Sequence, residues 1–547
     1  MGNGWSKLKS AGYRTALYRM TIGGDRLEHL IYQPHDPWPG DPKQADDLFR
    51  GRYRFAGREA SAPNQPPWRL RPDDDDWLAE LHGFDWLRHF AAAGGDTATA
   101  HARRLLRSWI DLCDDIDPVT WAPGVLGRRL VAWLSQAGFL LPGAGDDFTT
   151  AYLNSLALQW RHLCRAAADA PPGRQRLNAY LGVAYGALAL PEGEDALDRA
   201  QRQLQRLVDE AIATDGGPAS RAPSDLMALS RELIAWREAL AGSGREAPSW
   251  LNEVIGRAAP MLRGLRHGDG GLALFNGGFE ESAESVDITL ARADVKGNAV
   301  VNAAQSGFQR LLAGRTLLLA DTAAPPAGPA GLIWAAGAHA GGGSFELSVG
   351  KHRLVVNCGG GQDRNGDWAK AARSTAAHST LVLDDANAFA LDDRNDPDAA
   401  RFRCRRHEDD SGSIWLELSH EGYRRRFGLI HRRRLYVDAG GGDLRGEDRL
   451  DPVEGAAAAE GVAGRAFAVR FHLHPDVQAS AVQGGSAVLL KLANGQGWRF
   501  RANGGDIAMA DSAYLGQRDR IRRGQQIVLS GHTGDDGALL KWAFRQV

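Results

Sequence analysis

Six side chains in this sequence have the types and settings for proton transfer or for gripping an acidic sugar. His339 stands in Gly337-Ala338-His339-Ala340 just ahead of a triglycine, where little bulk covers an imidazole. It reads as an acid or base in a cleft, or as a turn histidine bonded to a backbone carbonyl. His378 follows Arg373-Ser374-Thr375 and opens a strand-like run, either as a second imidazole of a site or as a core histidine with its bonds satisfied. Tyr423, in Ser419-His420-Glu421-Gly422-Tyr423, offers a phenolic proton beside a histidine, or simply packs. Arg129 and Arg373 supply guanidinium forks that match a carboxylate, with an internal salt bridge as the other reading of Arg129. Trp121, in a loop with Pro and Gly, is the tryptophan best placed to stack on a sugar ring; tryptophans at helical spacing read as core.

Other clusters carry weaker signals. Arg424-Arg425-Arg426 and Arg432-Arg433-Arg434 either line a groove for an anionic glycan or present solvated arginines on one strand face. His472 and His474 are two apart and so share a strand face, but no third ligand stands in register. Asp73 to Asp76 ahead of Trp77 reads as a helix N-cap with first-turn charges. No phosphate loop, dinucleotide fingerprint or serine nucleophile elbow is present. The four cysteines lie far apart, with no CxxC pair, which gives neither a zinc ribbon nor a disulfide framework. No metal and no cofactor is expected.

The elements that must position these residues fall into two halves. From residue 61 to 266, apolar residues recur at three to four: Leu105, Trp109 and Leu112; Leu153, Leu156, Trp160 and Leu163; Leu197, Leu204, Leu207 and Ala211. Further helices are predicted near 84–94, 125–141, 174–190, 224–241 and 250–265. After His267-Gly268-Asp269-Gly270-Gly271 the period shifts to two, in ten or more short runs such as Ser344–Val349, His352–Cys358 and Gly428–Val437. The expected fold is α+β and multidomain: an α/α toroid, an incomplete helical barrel, over 61–266, then an antiparallel β-sandwich over 267–547. Residues 1–60 form an extension packed on the toroid. The length of 547 residues suits several domains, and 43% apolar with 24% charged residues excludes a disordered or fibrous chain. A formal charge of −2 argues against nucleic acid as a partner, and no run of about 18 apolar residues predicts membrane insertion.

In their order, several segments resemble the heparinase II/III-like family of polysaccharide lyases. They include Leu48-Phe49-Arg50-Gly51-Arg52-Tyr53, Trp121 with Arg129-Leu130-Val131-Ala132-Trp133, Asp215-Gly216-Gly217, Asp269-Gly270-Gly271-Leu272, Ser306-Gly307-Phe308-Gln309, His339 before Ser344-Phe345-Glu346, and Ala377-His378-Ser379-Thr380. The resemblance implies β-elimination at a uronic acid in a cleft between toroid and sandwich, with an acidic polysaccharide or oligosaccharide as partner. It also implies an Asn-His pair and a Tyr from the toroid, a His-x-His-x-Asp segment and a Tyr from the sandwich, and often a structural metal. Carried over, the Asn-His pair falls at Gln175-Arg176 and the toroid Tyr at Asp225. His339 keeps the first His, but Gly341 and Gly343 replace the second His and the Asp. Asn357 stands for a metal-site Asp, and Trp368 for the sandwich Tyr.

Two functions therefore stand side by side. One is a polysaccharide lyase with His339, His378 and Tyr423 as catalytic groups and Arg129, Trp121 and Arg373 on the substrate. The other is a non-catalytic glycan-binding or envelope-assembly protein that kept the fold. Members of this family are commonly periplasmic, but the N-terminus has no apolar leader-like run, so the expected compartment is the cytoplasm. Oligomeric state is not encoded in any motif.

Overall fold

The structure is a computed structural model that describes residues 13, 15–113, 116–326, 333–335, 337–361, 366–391, 401–453, 461–518 and 520–547. It divides into two compact units, one of Met1–Glu210 with Glu232–Glu253 and one of Ala211–Arg231 with Val254–Val547. Among the described residues no helix is long and apolar enough to cross a membrane.

The first unit is helical, as its period demands. Asp74 caps the helix Asp75–Gly83 by accepting from the Trp77 N–H, with Asp75 and Asp76 in the positively polarised first turn. In Gly95–Cys113 the stripe buries Leu105 and Trp109, but Leu112 is 49% exposed because the apolar face ends one turn before the helix does. Pro123–Ser135 and Arg174–Ala189 come so close that a Cβ at Gly127 would strike the Asn178 carbonyl, and one at Gly182 would strike Gly127 itself. Only hydrogen side chains permit that contact. Among the described residues before 60, Thr21 and Asp41 bond to two further helices, Asp146–Ala166 and Leu87–Ala93: Arg165 donates to the Thr21 carbonyl at 2.7 Å, and the Asp41 N–H donates to His89 Nδ1 at 2.9 Å.

A hairpin of β1 (Arg52–Phe55) and β2 (Arg58–Ser61) also belongs to the first unit. The second unit holds the strands β3 (Asn302–Ala303), β4 (Phe308–Ala313), β5 (Thr316–Asp321), β6 (Phe345–Val349), β7 (His352–Val356), β8 (Leu381–Leu383), β9 (Phe402–Glu408), β10 (Ile414–His420) and β11 (Leu429–Val437). It continues with β12 (Asp443–Pro452), β13 (Ala466–Leu473), β14 (Gln478–Val482), β15 (Ala487–Lys491), β16 (Gly497–Asn503), β17 (Asp506–Tyr514), β18 (Arg522–His532) and β19 (Ala538–Gln546). Among the described residues these form a nine-stranded sheet, ordered β17-β18-β13-β7-β6-β5-β4-β3 with β8 on β13, and an eight-stranded sheet, ordered β14-β15-β16-β19-β12-β11-β10-β9. All the pairings are antiparallel. The inner faces meet as a sandwich: Phe345 of one sheet stacks on Trp542 of the other at 5.6 Å, and Phe471 meets Phe544 at 5.5 Å.

The compact division differs from the change of period at 266. Residues Ala211–Arg231 and Val254–Leu265 are grouped with the strands, not with the other helices. The reason is local bonding. Asp215 accepts from the N–H groups of Gln305 and Ser306 at 3.0 and 2.8 Å, and Arg221 pairs with the buried Asp321 at the end of β5.

Candidate functional site

Two of the predicted imidazoles lie in contact. His339 Nδ1 is 3.2 Å from His378 Nε2, with the rings edge to face, and both side chains are 2% exposed. The loop and the turn that carry them are stitched together. Ala340 N–H donates to the Arg373 carbonyl at 2.9 Å, Arg373 Nε donates to the Ala338 carbonyl at 3.0 Å, and Thr375 Oγ1 donates to the Ala340 carbonyl at 2.8 Å.

This geometry fixes where the protons sit. His378 Nδ1 faces the Ser374 carbonyl at 2.8 Å, so that nitrogen must carry hydrogen. Its Nε2 then accepts, and His339 Nδ1 must donate to it. In the neutral pair His339 Nε2 keeps a lone pair, and among the described residues nothing bonds to it. Burial, the neighbouring His378 and Arg373 hold His339 well below the ordinary histidine range. Burial likewise takes His378 down to about 4. Near neutral pH the pair is uncharged, as a base would require.

The other positions that the resemblance assigns to metal binding are filled by different contacts. A Cβ at Gly341 would overlap the His378 ring, so the imidazole of His378 occupies the space a side chain there would need. Asn357 is wholly buried: its N–H and Nδ2 donate to Glu346 Oε1 at 3.0 and 3.2 Å, and its Oδ1 accepts from Ser379 N–H at 3.0 Å. Glu346 also takes the Leu274 N–H at 3.1 Å and His267 Nε2 at 2.8 Å. Among the described residues no three His, Cys, Asp or Glu side chains group as metal ligands. The residues present do not fit the family's metal.

Behind the histidines lies a charged network that spacing did not reveal. Arg433 points into the sandwich, where its Nε meets Asp448 at 2.7 Å and its Nη1 holds the Gly343 and Ser379 carbonyls at 2.8 and 2.9 Å. Gly422 N–H donates to His420 Nδ1, so His420 Nε2 donates to His431, and His431 Nε2 donates to Asp448 at 2.8 Å. Burial opposes ionisation of Asp448, yet Arg433 and His431 hold its carboxyl well below the usual range. On the other flank Asn276, at φ +49°, offers Oδ1 to the His339 N–H at 3.4 Å and donates Nδ2 to Asp321 at 3.1 Å.

The remaining predicted residues make other contacts. Tyr423 is in the sandwich core, with its hydroxyl donating to the Leu381 carbonyl at 2.8 Å, and its surroundings give it packing instead of proton transfer. In the helical unit Trp121 is 2% exposed, with its indole N–H on the Cys113 carbonyl, so it presents no open face for a sugar. Arg129 is fully buried and its Nε reaches Gln159 at 2.6 Å. Its Nη1 holds the His82 and Thr120 carbonyls, and its plane lies 4.3 Å from the Trp109 ring centre. No carboxylate bonds it among the described residues. Burial lowers it to about 9, which leaves it a cation. Arg176, at the family's His position, spends its fork on the Ala170 carbonyl at 3.0 and 2.7 Å.

Comparison with known proteins gives the same frame. A family model described as heparinase II/III-like, C-terminal, matches residues 295–543. FtsZ-localized protein C of Caulobacter vibrioides (strain NA1000 / CB15N) is 32% identical over 537 residues, spanning 96% of this chain and 92% of that protein. The crystal structure of heparinase III superposes with a TM-score of 0.74 at 13% identity, covering 99% of this chain and 89% of that one. A heparan sulfate lyase HepC mutant from Pedobacter heparinus gives 0.64 at 16%, covering 99% and 88%. At such identities these two structures show the fold alone. The full-length relative, the matched C-terminal model and the helical-then-sandwich architecture agree, and the chain belongs to the heparinase II/III-like family.

Proposed function

We propose that this protein is a heparinase-fold member that no longer cleaves glycans and works instead as an assembly protein at sites where FtsZ collects, in the cytoplasm. The observation that carries this reading is the substituted site. The family's second His and its Asp are Gly341 and Gly343, the metal-site Asp is the clasped Asn357, and the toroid Asn-His pair is Gln175-Arg176. Similarity along almost the whole chain to a protein named for its localisation with FtsZ supports the positive half. A fluorescent fusion expressed at native level is expected to gather where FtsZ does. A diffuse signal that ignores FtsZ, or recovery of the protein in a periplasmic fraction, would refute it.

A second reading keeps the eliminase. Its support is the lone pair on His339 Nε2, with the Arg373 guanidinium close by to steady an acidic sugar. In that chemistry His339 would take the C5 proton of a uronate and the departing O4 would need a separate acid, for which Tyr423 is poorly placed. A panel of uronate glycans decides the matter. New ultraviolet absorbance of an unsaturated uronate, lost in a folded His339→Ala variant, would replace the first reading with this one.

A further inference from the structure

The outer face of the eight-stranded sheet carries an arrangement that the fold does not need. Along β9 to β12 the register places Arg403 opposite Ser419, Ser419 opposite Arg432, and Arg432 opposite Arg449. Three guanidinium groups thus line one row across four strands, and Arg432 and Arg449 are direct cross-strand neighbours. Like charges so placed disfavour the pairing. One carboxylate, Asp451, serves both, at 2.7 Å from Arg432 and 3.2 Å from Arg449. Among the described residues Arg403 and Arg405 have no carboxylate partner at all. Two open hollows on this face, of about 400 and about 480 Å³, share Arg434 and Glu447 in their linings and so run together.

The second hollow has a different chemistry. Trp415, Tyr436, Ala502 and Ala543 give it an apolar wall. The Trp415 and Tyr436 rings pack against each other at 4.3 Å with a 45° tilt, and the Arg445 guanidinium lies 5.5 Å from the Tyr436 ring centre. Sugar rings and bases stack on flat open aromatic faces, whereas these two side chains are half-buried and tilted against each other. A polyanion with charge at every unit would also meet Glu417 and Glu447, which alternate with Arg405, Arg434 and Lys541 in the adjoining row. The two rows stand two residues apart along each strand, ~6.8 Å, so a peptide running across the strands can set its acidic groups on one row and leave the other.

We infer that this face docks an acidic, extended polypeptide segment of a partner protein, with carboxylates on the Arg403–Arg432–Arg449 row and one apolar side chain in the hollow beside Trp415 and Tyr436. The inference goes beyond the function proposed above and does not rest on it, since the surface lies on strands that carry none of the histidine pair.

Fluorescence anisotropy on the full chain tests it, with a labelled synthetic peptide in which Asp and Glu alternate with Ser around a single Leu. Saturable binding is expected, weakened by salt, and weakened at least about tenfold by Arg403→Glu with Arg449→Glu. Replacing the peptide's acids with Lys should restore binding to that reversed surface. If the double variant fails to fold, Arg403→Ala on the edge strand is expected to weaken binding while Arg405→Ala in the adjoining row leaves it nearly unchanged. The inference falls if the wild-type protein does not bind the acidic peptide, if the Arg403 variants bind it unchanged, or if heparin or single-stranded DNA of equal charge binds more tightly than the peptide.

Discussion

Arg433 shows how one side chain governs its surroundings. It is the middle member of an arginine triplet, and period two sends it inward while Arg432 and Arg434 face solvent. That alternation was available in the sequence; what hid the role was the absence of any cue that Asp448 waits opposite. Arg433→Met leaves the Asp448 carboxylate buried without its cation. We expect a loss of about 3–5 kcal/mol in urea unfolding, against a much smaller loss for Arg432→Met on the exposed face. His339 and His378 were legible because glycine-rich flanks and a strand opening marked them, whereas Glu346 looked like one strand residue among others. Gly341 gives a second prediction. Restoring the family's histidine by Gly341→His forces the ring of His378 out of its place, so thermal unfolding should occur at lower temperature, by about 1–3 kcal/mol of stability, with no protection by added zinc. A zinc-dependent rise in midpoint would show that the metal site is recoverable.

Among the elements, the long helices lie within a few residues of the ranges their periodicity predicts, as in Arg174–Ala189 for 174–190 and Pro223–Gly242 for 224–241, but 125–141 breaks into Pro123–Ser135 and Ala137–Leu140, and the helices Ala283–Ala293 and Gly366–Arg373 stand in the half that reads as strands. β6 is equally plain from Phe345, Leu347 and Val349 on one face, and β11 from the apolar residues at its two ends. Two strands, β12 and β17, lack that pattern. β12 has Gly446 and Asp448 at inward positions, so its buried face lacks the greasy alternation that announces a strand. β17 leaves most of its residues exposed or half-exposed. In β12 the glycine is required, because a Cβ at Gly446 would run into the Trp542 ring, itself pinned by Phe345 and by Asp448 at 2.8 Å. Gly446→Val should therefore cost about 1–3 kcal/mol or more and loosen the sandwich, seen as loss of near-ultraviolet tryptophan ellipticity before the far-ultraviolet signal falls. Val is otherwise a better strand former than Gly, so a stabilised variant would mean that Trp542 can turn away.

At the scale of the whole molecule, the buried histidines set its tolerance of acid. Burial leads the downward shift at each: His378 and His162 lie at about 4, and His472 and His82 at about 3, against 6.5 for the group in the unfolded chain. Between those values the unfolded chain holds the extra protons, so stability is complete above 6.5 and declines as pH falls toward 4. Each such group weakens the fold by about 1.4 kcal/mol per pH unit in that window. The urea midpoint should drop between about pH 6.5 and about pH 5, above the range in which carboxylates protonate. A flat profile there would mean that these imidazoles titrate normally. The chain leaves the helical unit after Glu210, returns at Glu232 and leaves again after Glu253. Three crossings tie the two parts as no single hinge peptide would. A recombination event that exchanged everything after residue 266 would separate Asp215 from Ser306 and Arg221 from Asp321, leaving a buried acid without its counter-ion. Lineages carrying this architecture are thus expected to inherit it as one indivisible gene segment, diverging by side-chain replacement and not by module shuffling.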